Sequence, residues 1–155
     1  DHGWIGKCHP QDCASRVPLI ISYPKEMEAG QRHSEIVESV DIVPTLLDWC
    51  GVQQPPIMQG QSLRPLLCGE DFTPKSSAFI EMRTPYQSGW KAVRTAEYLY
   101  CRKFNGKEEL YELEKDPDQL TNIAGTSDLI HTAREEMVKR WFEVEGQHPQ
   151  RTGHY

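Results

Sequence analysis

The stretch Asp41-Ile42-Val43-Pro44-Thr45-Leu46-Leu47-Asp48-Trp49-Cys50-Gly51 leaves little choice of local structure. Asp41 suits an N-cap, because a carboxylate there accepts the free amides of the first turn and sits at the positive helix end. Pro44 falls inside that turn, where no donor is lost. Ile42, Val43, Leu46, Leu47 and Cys50 recur at helical spacing, and Gly51 stops the element. Upstream, Val17-Pro18-Leu19-Ile20-Ile21-Ser22-Tyr23 is a continuous apolar run ending at Pro24. Without alternation it reads as a strand buried on both faces of a parallel sheet, with Pro18 at its start. A strand, a charged surface loop over Lys25 to Glu35 and an amphipathic helix together predict an α/β layer. Pro55-Pro56 and a turn at Gly60 then lead to an apolar turn at Leu63, Leu66 and Leu67.

After Gly69 the texture changes. Ser77 to Met82 reads as a strand, and Trp90 to Thr95 faces Tyr98 to Phe104 across a short turn. Asn105-Gly106 is a two-residue hairpin signal, since both residue types tolerate positive φ. It leads into Glu109-Leu110-Tyr111-Glu112-Leu113, which alternates as an antiparallel strand does. Asp116-Pro117-Asp118 marks a turn. Ser127 or Asp128 caps a helix running to about Glu145, with Leu129, Ala133, Met137, Trp141 and Val144 as its apolar stripe. These elements predict an α/β part over 1–72, a small α+β subdomain over 73–146 with one helix on an antiparallel sheet, and a polar tail over 147–155.

The 155 residues suffice for one core, or for the end of one domain plus a small second one. A formal net charge of -6 argues against nucleic acid as the main partner. The longest apolar run is too short to span a bilayer. The chain opens on Asp1 and not Met, so the true N-terminus is expected upstream, and the absence of a signal leaves the compartment open. The five cysteines are an odd number without C-x-x-C spacing, so they cannot all pair within the chain. Cys50 and Cys101 read as small buried hydrophobes. His2, Cys8, His9 and Cys13 are zinc-type ligands, but their spacing matches no common finger. His148 and His154 fall in the polar tail and read as solvated.

Four patches, in order, resemble the C-terminal portion of the type I sulfatases, within the alkaline-phosphatase superfamily. Asp1-His2-Gly3-Trp4-Ile5-Gly6-Lys7 is similar to a family segment reading acidic-His-Gly, two further residues, then Gly-Lys. Arg16-Val17-Pro18-Leu19-Ile20 is similar to the strand that follows that lysine. Val40 to Leu67 carries the Asp-Ile-Val-Pro-Thr-Leu-Leu helix and the Gly-Gln-Ser-Leu turn. Val93-Arg94-Thr95 through Glu109–Leu113, Asp116-Pro117 and Asn122 resembles the small C-terminal subdomain of many bacterial members.

The resemblance implies an enzyme that hydrolyses sulfate monoesters of a small molecule or glycan. Lys7 matches the family's sulfate-contacting lysine, a compact cation suited to hold an anionic oxygen. His2 matches the family's second His-Gly segment, as a substrate contact or as a plain loop histidine. In a different register Asp1-His2 would be a calcium-ligating pair. Asp12 matches an acidic position after the lysine, where it orients its neighbours or lies solvated. The resemblance also implies calcium and a formylglycine nucleophile, made from Cys or Ser in a Cys/Ser-x-Pro-x-Arg context. Cys13-Ala14-Ser15-Arg16 lacks that context, and the early aspartate pair is absent. Nucleophile and metal ligands are therefore expected on a missing N-terminal part of the same domain, and the chain alone should not turn over. The alternatives are a related phosphate or phosphonate ester hydrolase, and a catalytically degenerate sulfatase-like module. Met82 to Ser88 is a candidate contributor to the substrate pocket.

Overall fold

The computed structural model describes residues 8–83 and 89–146. The chain divides into two compact units, one of Asp1–Ile20 with Ser76–Arg140 and one of Ile21–Lys75 with Trp141–Tyr155.

The first unit is built on an antiparallel sheet of β1 (Ala78–Arg83), β2 (Gly89–Arg94), β3 (Tyr98–Lys103) and β4 (Glu108–Glu112), in the order β1-β2-β3-β4. The register aligns Phe79, Val93, Tyr100 and Leu110 across the strands, and beside them Ile80, Ala92, Cys101 and Glu109. Side chains alternate between faces along a strand, so these two rows belong to opposite faces. Each face has its own core. On one, Val93, Tyr98, Tyr100 and Leu110 pack with Ile130, Ala133 and Met137; on the other, Trp90, Ala92, Leu99, Cys101 and Tyr111 cluster. Burying a side chain such as Leu110, which has no exposed surface, contributes about 1.5–3 kcal/mol.

The first face is closed by a helix, Leu129–Glu145, whose first free amide is bonded to Ser127 Oγ at 3.3 Å. Its buried residues are Ile130, Ala133 and Met137. The expected stripe is thus shifted by one at its start, with Leu129 only flanking the core, and it stops early, since Trp141 is 45% exposed. Polar clamps frame the contact. Arg134 grips Glu108 through Nε at 3.0 Å and Nη2 at 2.6 Å, and the Tyr100 hydroxyl donates to the same carboxylate. The Arg134 bonds hold the Glu108 carboxyl down at about 2. Ser76 and Ser77 both donate to Glu136.

The Asn105-Gly106 hairpin forms, though not as a two-residue turn. Gly106 has φ 84°, but Gln119 is the positive-φ residue other than glycine among the described residues, so Asn105 stays on the right-handed side. Its side chain accepts from the Lys107 amide at 3.1 Å, and Gly106 N bonds to Lys103 O. This is a longer loop ending on a left-handed glycine.

The second unit contains α2 (Ile42–Trp49) and α3 (Arg64–Cys68), numbered after the short helix α1 (Asp12–Ser15) of the first unit; the helix Leu129–Glu145 is α4. Asp41 is fully buried but does not cap α2 with its side chain. Its carboxylate closes the preceding 3₁₀ turn through Glu38 N at 2.8 Å and takes Gln61 N at 2.8 Å and Lys75 Nζ at 2.6 Å. An exposed cap satisfies one helix amide; a buried carboxylate needs a cation and several donors, which this position supplies. Thr45 adds to the junction, donating to Asp41 O and accepting from Leu63 N. Gly60 is held by the same contact: at φ 91° a Cβ there would lie 2.3 Å from Val40 O.

Two further expectations fail. Residues 17–23 form no strand, and Val17 and Ile20 are 63% and 90% exposed. A buried parallel strand needs ladders on both sides, and the described strands pair only with each other. Similarly, α2 buries Pro44 and Thr45, while Val43, Leu46 and Cys50 of its apolar side are exposed. Cys101 is buried as expected, and burial pushes its thiol up to about 12.

Candidate functional site

Lys7 and His2 lie outside the described residues, as do His148, His154 and the 84–88 part of the expected pocket loop. Met82 lies in β1. What the structure does describe is the segment that follows Lys7, and it is fastened to the face of the sheet opposite α4.

The fastening comes from two strands, β2 and β4, and one turn. The indole Nε1 of Trp90, on β2, donates to Cys8 O at 3.1 Å. Gln11 Nε2 donates to the Tyr111 hydroxyl, on β4, at 3.1 Å. The Asp12 amide donates to Gln119 Oε1 at 2.8 Å. The Asp12 carboxylate receives Arg94 Nη2, at the end of β2, at 3.0 Å. Pro10 is buried between these points, and Ser15 Oγ folds α1 back onto Pro10 O and Gln11 O. Asp12 is therefore an orienting carboxylate in an ion pair. Its second cation, Arg16 at 3.8 Å, is mostly exposed and adds little.

Gln119 reaches this position through backbone geometry. It follows the Asp116-Pro117-Asp118 turn, where the Asp116 side chain accepts the Leu120 and Thr121 amides. Gln119 itself adopts φ 57°, a left-handed conformation costly for a residue with a Cβ, and is 4% exposed. The polar chain continues outward from Gln11: Tyr111 lies 3.4 Å from Glu109 Oε2, and Glu109 pairs with Lys103. Burial, reinforced by Glu109, pushes the Tyr111 hydroxyl up to about 12, so it stays neutral and able to donate.

Not every group in this seam is satisfied. Gln11 Oε1 and Gln119 Nε2 are both buried without a partner. Among the described residues no three His, Cys, Asp or Glu side chains converge to hold a metal ion. Cys8, His9 and Cys13 therefore do not assemble a zinc centre there, and no described residues fit the calcium that the resemblance implies.

Sequence reasoning singled out Asp12 here but missed Gln11, Trp90, Tyr111 and Gln119. Gln11 and Tyr111 are 100 positions apart, and Asp12 and Gln119 are 107 apart. No periodicity links them. The only local signal was an acidic turn beside a polar residue.

Comparison with known proteins gives a consistent answer. Residues 1–147 match the family described as N-sulphoglucosamine sulphohydrolase, C-terminal. The chain is 34% identical over 146 residues to an N-acetylglucosamine-6-O-sulfatase of Bacteroides thetaiotaomicron, covering 88% of this chain and 26% of that protein. It is 30% identical to an arylsulfatase of Clostridium perfringens, covering 94% of this chain and 31% of the relative. A solved structure bound to its substrate D-glucosamine-2-N,6-O-disulfate superposes with a TM-score of 0.81 at 29% identity, over 94% of this chain and 31% of that one. The chain thus spans about a quarter to a third of the length of these relatives.

Proposed function

Since this chain belongs to the sulfatase family, in the C-terminal region described for N-sulphoglucosamine sulphohydrolase, we propose that it is the C-terminal part of an enzyme that hydrolyses sulfate monoesters of an amino sugar. The observation that carries the reading is the family match over residues 1–147; the resemblance of Gly6-Lys7 to the family's sulfate-contacting segment supports the role given to the lysine. The Lys7 ammonium holds a non-bridging sulfate oxygen and offsets charge that builds as the ester bond breaks. His2 is assigned as a second contact to the sulfated sugar. The choice of sugar follows the relatives, one named for N-acetylglucosamine 6-sulfate and one bound to a disulfated glucosamine.

The nucleophile and the metal belong, in this reading, to polypeptide preceding Asp1. Formylglycine and calcium would supply the attacking oxygen and its activation there. The exposed apolar surfaces support this division, because Val17 and Ile20 in one unit and Val43 and Leu46 in the other are left uncovered. Apolar groups so exposed mark surfaces that other polypeptide covers. Residues 1–72 are assigned to the catalytic α/β domain and 73–146 to the small α+β subdomain.

The test is release of inorganic sulfate from D-glucosamine 6-sulfate by the full-length protein. We expect turnover, and a loss of about a hundredfold or more in Lys7→Ala. No release from sulfate esters, with cleavage of a phosphonate monoester instead, would overturn the assignment.

A further inference from the structure

We propose that residues 17–22 are the central strand of a sheet whose neighbouring strands lie on polypeptide preceding Asp1. This rests on the division between this chain and a preceding part given above, and deepens it by naming where the two parts pair. It does not depend on the sulfate chemistry.

The segment is open on four sides. Arg16 leaves α1 in an extended conformation, with φ -87° and ψ 118°, and Pro18 holds Val17 to the same region. In an extended chain Val17, Leu19 and Ile21 project to one face and Pro18, Ile20 and Ser22 to the other. Val17 is 63% and Leu19 42% exposed on the first face, and Ile20 is 90% exposed on the second. Both edges are open as well, since no hydrogen bond from a described residue reaches the backbone of residues 17–22. Within that run only Pro18 lacks an N–H, and it stands near the start, where a sheet tolerates the loss.

The four open sides decide among possible covers. An apolar groove or a membrane surface covers one face and pairs neither edge. A second copy adding its own strand pairs one edge. A strand between two others, in a sheet covered on both faces, uses all four sides. A continuous apolar run without alternation is the composition of such a strand. The preceding polypeptide has the length to supply the neighbours: this chain spans 26% and 31% of two relatives, and the rest of each is ample for several strands.

The experiment is amide hydrogen exchange on the full-length protein, read residue by residue at Leu19, Ile20 and Ile21, with release of sulfate from D-glucosamine 6-sulfate assayed on the same sample. A central strand bonds consecutive amides alternately to its two neighbours. We therefore expect all three to exchange about a hundredfold or more slower than in an unstructured chain. Protection of Ile20 without Leu19 and Ile21, or the converse, would overturn the proposal in favour of an edge strand. Unstructured rates at all three would overturn it outright. Ile20→Ala gives a second reading: the thermal midpoint of the full-length protein should fall by a few degrees as a covered side chain is cut back, and an unchanged midpoint would overturn the placement. Protection without sulfate release upholds the strand and defeats the proposed activity, whereas release without protection does the reverse.

Discussion

The two faces of one sheet are closed by different chemistry. Under α4 the contact is apolar, with Val93, Tyr100 and Leu110 against Ile130, Ala133 and Met137, and its polar groups are paired at the rim by Arg134, Glu108 and Tyr100. On the opposite face the segment Cys8 to Ser15, which ends in the short helix α1, is held to Trp90 and Tyr111 by single hydrogen bonds and to Arg94 by the Asp12 ion pair. The first arrangement maximises burial. The second fixes a path for the backbone and tolerates unsatisfied amide atoms in doing so. Both faces bury apolar side chains, and the second adds polar ties to the chain that crosses it.

This contrast can be broken most easily at the helix face. Leu110→Ala should lose about 2–5 kcal/mol in urea unfolding, because it leaves a cavity where no surface was exposed. Loss of well under 1 kcal/mol would mean that α4 is not seated as described.

Glu108→Gln should cost less, about 1–2 kcal/mol, since Arg134 is partly solvated. It also gives the face a pH signature. The carboxyl is held down at about 2 by Arg134, below the ordinary value of 4.5. The stability it contributes is present above about pH 4.5 and is lost as pH falls toward 2. Acid titration of the unfolding midpoint should therefore flatten in Glu108→Gln over that window; an unaltered profile would remove Glu108 from the clamp.

The smallest effect on stability is expected across the sheet. Tyr111→Phe should cost about 0.5–1.5 kcal/mol. In alkali the sign reverses relative to Glu108. Burial raises the Tyr111 hydroxyl to about 12 from 10, so its contribution is full below pH 10 and disappears as pH rises toward 12. Spectroscopic titration of the phenol, compared with Tyr111→Phe, checks this.

The parts of the molecule governed by short-range pattern were legible in the sequence. All four described strands and α4 appear near their expected places because alternation and helical spacing are local properties. What pattern could not convey was which partner each surface meets. Ile42, Val43, Leu46 and Cys50 have the spacing of a buried face, but spacing does not supply the covering layer, and the buried positions are Pro44 and Thr45. The run 17–23 has the composition of a central strand and lacks neighbours to pair with. Asp41 was legible as a helix start, not as the hub that gathers Glu38, Gln61 and Lys75. The seam at Gln11 and Gln119 was invisible for the same reason, since two glutamines far apart in sequence carry no signal of meeting.

The claim at the centre is that the residues following Lys7 are seated on the C-terminal sheet, and amide hydrogen exchange at Asp12 measures it most directly. In the full-length protein the Asp12 N–H, bonded to Gln119 Oε1 at 2.8 Å, should exchange slowly, and Gln119→Ala should speed it while the Leu110 amide under α4 stays protected. Exchange of Asp12 at the rate of an unstructured chain in the parent protein would contradict the account.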